Sequence, residues 1–97
     1  MFTKAELSLV QSKYFSVLRI DERSVVIQSR NTKHVWMIFK KVLDEEWPVV
    51  LHHKHRLSDP WFHEHKKVKT VSRAVGEIKK HDEYVLKYRM RKRHAGA

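Results

Sequence analysis

The chain has 97 residues, 41% of them hydrophobic, no cysteine and a formal net charge of +10 at pH 7. That length and apolar content suit one domain with its own core, and the lack of cysteine excludes disulfides and thiolate metal sites. No apolar run approaches the ~18–20 residues of a membrane span, and the N-terminal MFTKAELSLVQSKYF lacks the features of a secretory signal, so a cytoplasmic protein with no membrane association is expected.

The predicted elements begin with a short helix over roughly residues 4–12. Thr3-Lys4-Ala5-Glu6 has the spacing of a capping box, in which the threonine hydroxyl and the glutamate carboxylate each satisfy the other's backbone amide. From Tyr14 the pattern changes to a period of two. Phe15 to Ile20 and Val25 to Gln28 read as strands separated by the polar break Asp21-Glu22-Arg23-Ser24. A second break, Arg30-Asn31-Thr32-Lys33, contains Asn31, a residue type that tolerates a left-handed turn conformation. His34 to Lys41 is the longest strand signal. Alternation puts Val35, Met37 and Phe39 on one side and Trp36 and Ile38 on the other. A strand apolar on both sides is either central or keeps one face for a partner.

Val42 to Glu46 is acidic and reads as a turn or one loose helical turn. Pro48 cannot donate to a ladder and marks the entry of the next strand, Val49 to His55. Arg56 to Pro60 forms a connection, and Trp61 to Val68 reads as a last strand or an extended approach to a helix. Thr70 or Ser72 caps that helix, where Val71, Ala74, Val75 and Ile78 recur at helical spacing. Gly76 weakens it, and its place beside Ala74 suggests close approach to the sheet. At His81-Asp82 the helix either continues or restarts. The fold class expected is α+β: an antiparallel meander of four to five strands, with a short N-terminal helix and a longer C-terminal helix packed on one face. Residues 1–89 form the compact domain, and 90–97 a disordered basic tail.

Charge is the strongest global signal. Residues 1–48 carry eight basic and six acidic side chains, net +2, whereas residues 49–97 carry thirteen and five, net +8. A field of one sign concentrated in half of a small domain attracts polyanions. Basic and aromatic residues interleave in the strand-like segments. Trp36 and Trp61 could stack unpaired bases while Lys33, Lys40, Lys54, Arg56, Lys66 and Lys67 follow phosphates. Lys87, Arg89, Arg91, Lys92 and Arg93 add phosphate contacts from the C-terminal segment.

Five of the eight histidines lie between Trp47 and Lys67. If the hairpin closes around Asp59, His53 opposes His65 and His55 opposes His63. Opposed side chains have Cβ atoms roughly 4.5–5.5 Å apart, so His53, His55, His63 and His65 form a candidate metal-binding cluster. No carboxylate stands out as an orienting partner, and the other reading is a set of partly exposed histidines on a basic sheet face.

Ser29 to Trp36 reads S-R-N-T-K-H-V-W. Together with the order helix, three strands, helix, this segment resembles the small HicA-type messenger-RNA-cleaving toxins, which carry a histidine after a Gly-Ser or Gly-Thr step on an early strand. The resemblance implies a catalytic role for His34, although the glycine of that step is missing. There is no phosphate-cradling glycine loop, no nucleophile elbow and no H-E-x-x-H.

The leading expectation is a small, non-enzymatic, DNA- or RNA-binding module without a cofactor. Its sheet and basic C-terminal half would meet phosphates. The alternative is an accessory subunit that meets an acidic protein, or a homodimer formed through the apolar face near Trp36. A histidine- or metal-dependent nuclease is the third reading.

Overall fold

The computed structural model describes residues 1–43 and 46–95, with side chains of the last helix described to residue 92. The chain runs α1 (Lys4–Val10), β1 (Phe15–Ile20), β2 (Ser24–Ser29), β3 (Val35–Lys40), β4 (Val49–Lys54), β5 (His63–Val68) and α2 (Val71–Ala95). The five strands form a single antiparallel sheet in the order β1-β2-β3-β4-β5. This is the expected α+β meander, with both helices packed on one face.

The capping box closes α1: the Glu6 amide donates to Thr3 Oγ1 at 3.1 Å and the Thr3 amide donates to Glu6 Oε1 at 2.8 Å. Glu6 also pairs with Lys40 Nζ at 2.9 Å, which fixes this seven-residue helix to β3. Such a short helix is unstable alone, and it holds its place by burying Val10 with Leu7 and Phe2 against the core.

β3 is the central strand. Trp36 and Ile38 point towards α2 and are fully buried with Ile27, Val25 and Leu51. The ladder aligns Val17, Ile27, Trp36, His53 and His63 in one row across the sheet. The row beside it aligns Val25, Ile38, Leu51 and Lys66. On the opposite face Val35 and Val50 are buried, while Val26, Met37 and Phe39 are half-buried. Among the described residues no helix covers that face. The apolar surface without a helix is therefore on the side of Met37 and Phe39, not the Trp36 side expected to serve a partner. Trp36 and Ile38 form the core because α2 lies across them.

Thr70 caps α2, its Oγ1 accepting from the Arg73 amide at 3.1 Å. The helix is continuous through His81 and Asp82 and extends to Ala95, so it includes residues 90–95 of the segment expected to form a tail, whose last two residues lie outside the described residues. Val71, Ala74, Val75 and Ile78 form the buried stripe, and Asp82, fully buried, takes its next position one turn on. Gly76 lies on the exposed side, where a Cβ would meet nothing within 4 Å. It allows no close approach to the sheet, contrary to the expectation from its neighbour Ala74.

One turn and one strand pairing differ in detail from expectation. In the β2–β3 connection the left-handed residue is Lys33, with φ 68°, and not Asn31. Asn31 instead uses its side chain, with Oδ1 accepting from the Thr32 amide at 2.7 Å and Nδ2 donating to Tyr14 Oη at 3.2 Å. In β5 the pairing with β4 jumps at a bulge, from Leu51↔Lys66 to His52↔Glu64. The pairs from Val49↔Val68 to Leu51↔Lys66 already run one residue off the register that would oppose His53 to His65, and the bulge, with His65 as the extra residue, shifts the partner by one more, so His53 opposes His63. Because one inserted residue displaces every later pair, this register cannot be read from alternation alone.

Candidate functional site

The buried stripe of α2 changes from apolar to polar below Ile78, and there a polar cluster crosses from helix to sheet. Asp82 accepts from Tyr14 Oη at 2.6 Å and from Thr32 Oγ1 at 2.9 Å. Thr32 Oγ1 in turn accepts from the His34 amide at 3.2 Å, and Arg89 donates to the Thr32 carbonyl at 3.1 Å. This network fixes the β2–β3 turn to α2 and sets the position of His34 at the start of β3. Burial, together with the hydrogen bond to Asp82, pushes the Tyr14 hydroxyl up to about 12.

His34 belongs to a close group of imidazoles. Its Nδ1 lies 2.8 Å from His53 Nε2, a distance at which one nitrogen donates and the other accepts. The His34 ring stacks on His55 with 5.0 Å between centroids, and His81 from α2 approaches to 5.5 Å of His34 and 4.8 Å of His53. Trp36 sits beneath, its ring 4.1 Å from His53 and 5.2 Å from His81. His63 and His65 surround the group, the former 5.2 Å from His53 and the latter 5.3 Å from His81.

His34 and His53 are buried, His81 is half-buried, and His55, His63 and His65 are exposed. Burial, reinforced by neighbouring imidazoles, pushes His34 down to about 4 and His53 down to about 3. His81 and His65 are shifted down for the same first reason. The buried members are therefore neutral near pH 7, each with a ring nitrogen able to accept a proton or a metal ion. One ring nitrogen from each of His34, His53 and His81 lies within 4.8 Å of the others.

The expected metal-binding set was His53, His55, His63 and His65. The structure brings their rings into one neighbourhood, but the trio that converges is His34, His53 and His81. The sequence points to His34 only as a catalytic residue, through the resemblance, and does not point to His81 as a ligand. A signal for His81 existed: it stands three residues after Ile78 and seven after Ala74, on the stripe that packs on the sheet. His34 is two residues before Trp36 on the same face of β3, which equally predicts burial.

Above this cluster an open cleft of about 640 Å³ runs between the lower half of α2 and the ends of β3 and β4. Its lining holds Lys33, Arg56, Arg89 and Lys92 with Tyr84, Tyr88, His34, His55 and His81, and no carboxylate among the described residues. The remaining candidate phosphate contacts are distributed differently. Trp36 is fully buried and offers no face for a base. Lys40 is committed to Glu6, and Lys54 donates to the carbonyls of Leu57 and Asp59 and lies over the Phe62 ring at 4.7 Å. Lys66 pairs with Glu77, and Lys87 with Glu83. Trp61 is 81% exposed. Lys67 lines a separate concavity with Lys69 and Arg73, beside Trp47, and Arg91 is exposed on α2. The Arg93 side chain lies outside the described residues.

No family model matches the chain, and no curated protein or solved structure matches it either. Among the described residues, no helix is long and apolar enough to cross a membrane.

Proposed function

We propose that the protein binds a nucleic-acid strand through its phosphates, in the cleft between α2 and the β3–β4 end of the sheet. The observation that carries this reading is the composition of the cleft wall among the described residues: four cations, two tyrosines and no carboxylate. Lys33 and Arg56 enter from turns and have no ion-pair partner among the described residues. Arg89 and Lys92 enter from α2, one helical turn apart on the same side. Cations on both walls match a backbone that carries regular negative charge, while Tyr84 and Tyr88, 70% and 55% exposed, offer ring faces for unpaired bases. Phosphate contacts of this kind position a strand without reading its sequence.

The cleft also lends some support to the nuclease reading, since His34 and His81 lie at its base. Their low proton affinity makes them poor donors near pH 7, however, and binding without cleavage is the reading the cleft favours.

The test is a fluorescence-anisotropy titration with labelled single-stranded and duplex oligonucleotides at 50 and 200 mM salt. Affinity is expected to fall steeply with salt, and the doubly substituted Arg56→Glu/Lys92→Glu protein should lose binding while keeping its fold. Absence of a complex at low salt ends this reading. Wild-type affinity in the double variant would move the contact elsewhere, to the Lys67–Arg73 concavity.

A further inference from the structure

The imidazole cluster is costly as an ordinary piece of core. A wholly apolar lining would fill the same space, yet three histidines converge there, from the residue before β3, from β4 and from α2. None of the three has a carboxylate among its hydrogen-bond partners in the described residues. His81 Nδ1 is buried with no hydrogen-bond partner. A buried ring nitrogen left without a partner costs roughly 1–3 kcal/mol, a cost that asks for an explanation. A ligand that takes up nitrogen lone pairs in this space would remove it.

We propose that His34, His53 and His81 form a binding site for a divalent first-row transition metal ion of the Zn²⁺ class. Three features of the structure support it. The donors are three neutral imidazoles, the set preferred by Zn²⁺ and its neighbours and unsuited to Mg²⁺ or Ca²⁺. The distances are close to those required: tetrahedral coordination at about 2.0–2.1 Å separates two ligating nitrogens by about 3.3–3.4 Å. The His34–His53 pair at 2.8 Å needs to open slightly, and the widest separation in the trio, within 4.8 Å, needs to close. Most of that closure falls to His81, which is half-buried on the helix and the freest of the three to change rotamer. The third feature is the way in. His34 and His81 both line the basic cleft, so a fourth coordination position is reached from it. The ion would take the place of the hydrogen now shared between His34 Nδ1 and His53 Nε2, and the histidine that carries this hydrogen would shift to its other tautomer, so that all three ligands stay neutral.

The inference does not depend on nucleic-acid binding, and its test contains no nucleic acid. Tag-free protein is dialysed against chelator, then against metal-free buffer at pH 7.5, and titrated with Zn²⁺ by isothermal calorimetry. One equivalent is expected to bind with a micromolar or tighter dissociation constant, Mg²⁺ should give no heat, and Co²⁺ should give the intense visible bands of a tetrahedral site. His81→Ala is expected to weaken Zn²⁺ binding at least tenfold, whereas the combined His63→Ala/His65→Ala protein should stay within about twofold of wild type. Circular dichroism checks that each variant is folded. If His81→Ala does not fold, ring-nitrogen NMR of the wild-type protein answers the same question, since coordination shifts the nitrogens of His34, His53 and His81. No binding by the folded wild-type protein up to 1 mM Zn²⁺ overturns the proposal. So does an unchanged affinity in His81→Ala, or binding that disappears with His63 and His65, because the metal would then be held by the exposed histidines.

Discussion

Acidification is the perturbation that the imidazole cluster should feel most. In the metal-free protein His34 is pushed down to about 4 and His53 to about 3, in both cases first by burial. In the unfolded chain each titrates near the ordinary value of about 6.5. Below that value the unfolded chain takes up protons that the folded chain refuses, so stability falls with pH. The contribution of each histidine is complete above pH 6.5 and is lost as pH falls towards the folded values. Between pH 7.5 and 5.0 linkage gives about 2 kcal/mol for each residue, or about 4 kcal/mol for the pair. Against a total stability of about 5–15 kcal/mol for a small domain, that is a large fraction. His52, His65 and His81 are shifted in the same direction and add to the slope.

Urea unfolding followed by circular dichroism at pH 7.5, 6.0 and 5.0, with chelator present, measures the effect. The midpoint should fall steadily while the denaturant slope stays constant. A His34→Gln/His53→Gln protein, which carries neutral side chains at both places, should show a much flatter dependence. A loss under about 1 kcal/mol in wild type across this range would refute the reasoning, as would an undiminished slope in the double variant, since neither agrees with two histidines kept neutral by burial.

Two further outcomes follow from the packing of α2. Gly76→Ala should raise stability by roughly 0.5–1 kcal/mol, because the position is exposed in a helix interior and the added Cβ meets nothing within 4 Å; a thermal melt checks it, and a fall in melting temperature would contradict the observed geometry. Asp82→Ala should cost about 3–5 kcal/mol, since it leaves Tyr14 Oη and Thr32 Oγ1 without their acceptor. Tyr14→Phe should cost about 1.5–3 kcal/mol, the range for a hydrogen bond to a charged group. A double-mutant cycle on Tyr14 and Asp82 should then show clear coupling, and additive losses would mean that the bond contributes little.

Much of this molecule follows from local pattern. The Thr3–Glu6 capping box, the alternation of β1 to β3, the break at Pro48 and the stripe from Val71 to Ile78 were all legible, because each depends on neighbours in the chain and on a fixed period. The imbalance of charge was equally plain. What alternation could not say was which apolar side of β3 the helix would cover. Val35-Met37-Phe39 and Trp36-Ile38 are both suitable, and only the path of the chain after β5 places α2 over Trp36.

The candidate site divides along the same line. The sequence by itself determined that the chain would be basic in its second half, would have no thiolate ligands and would place histidines on β4 and β5. Tertiary structure alone decided which histidines meet. The β4–β5 register, together with a one-residue bulge in β5, opposes His53 to His63 rather than His65, and the crossing of α2 brings His81 to within 4.8 Å of His53 between ring centroids. The cations divide likewise. Equivalent in the sequence, they are separated by the fold into those consumed by local partners, such as Lys40 and Lys54, and those facing one cleft, such as Lys33 and Arg56. The physical reason is range: a period or a cap acts over a few residues, whereas convergence of side chains depends on how separate elements pack.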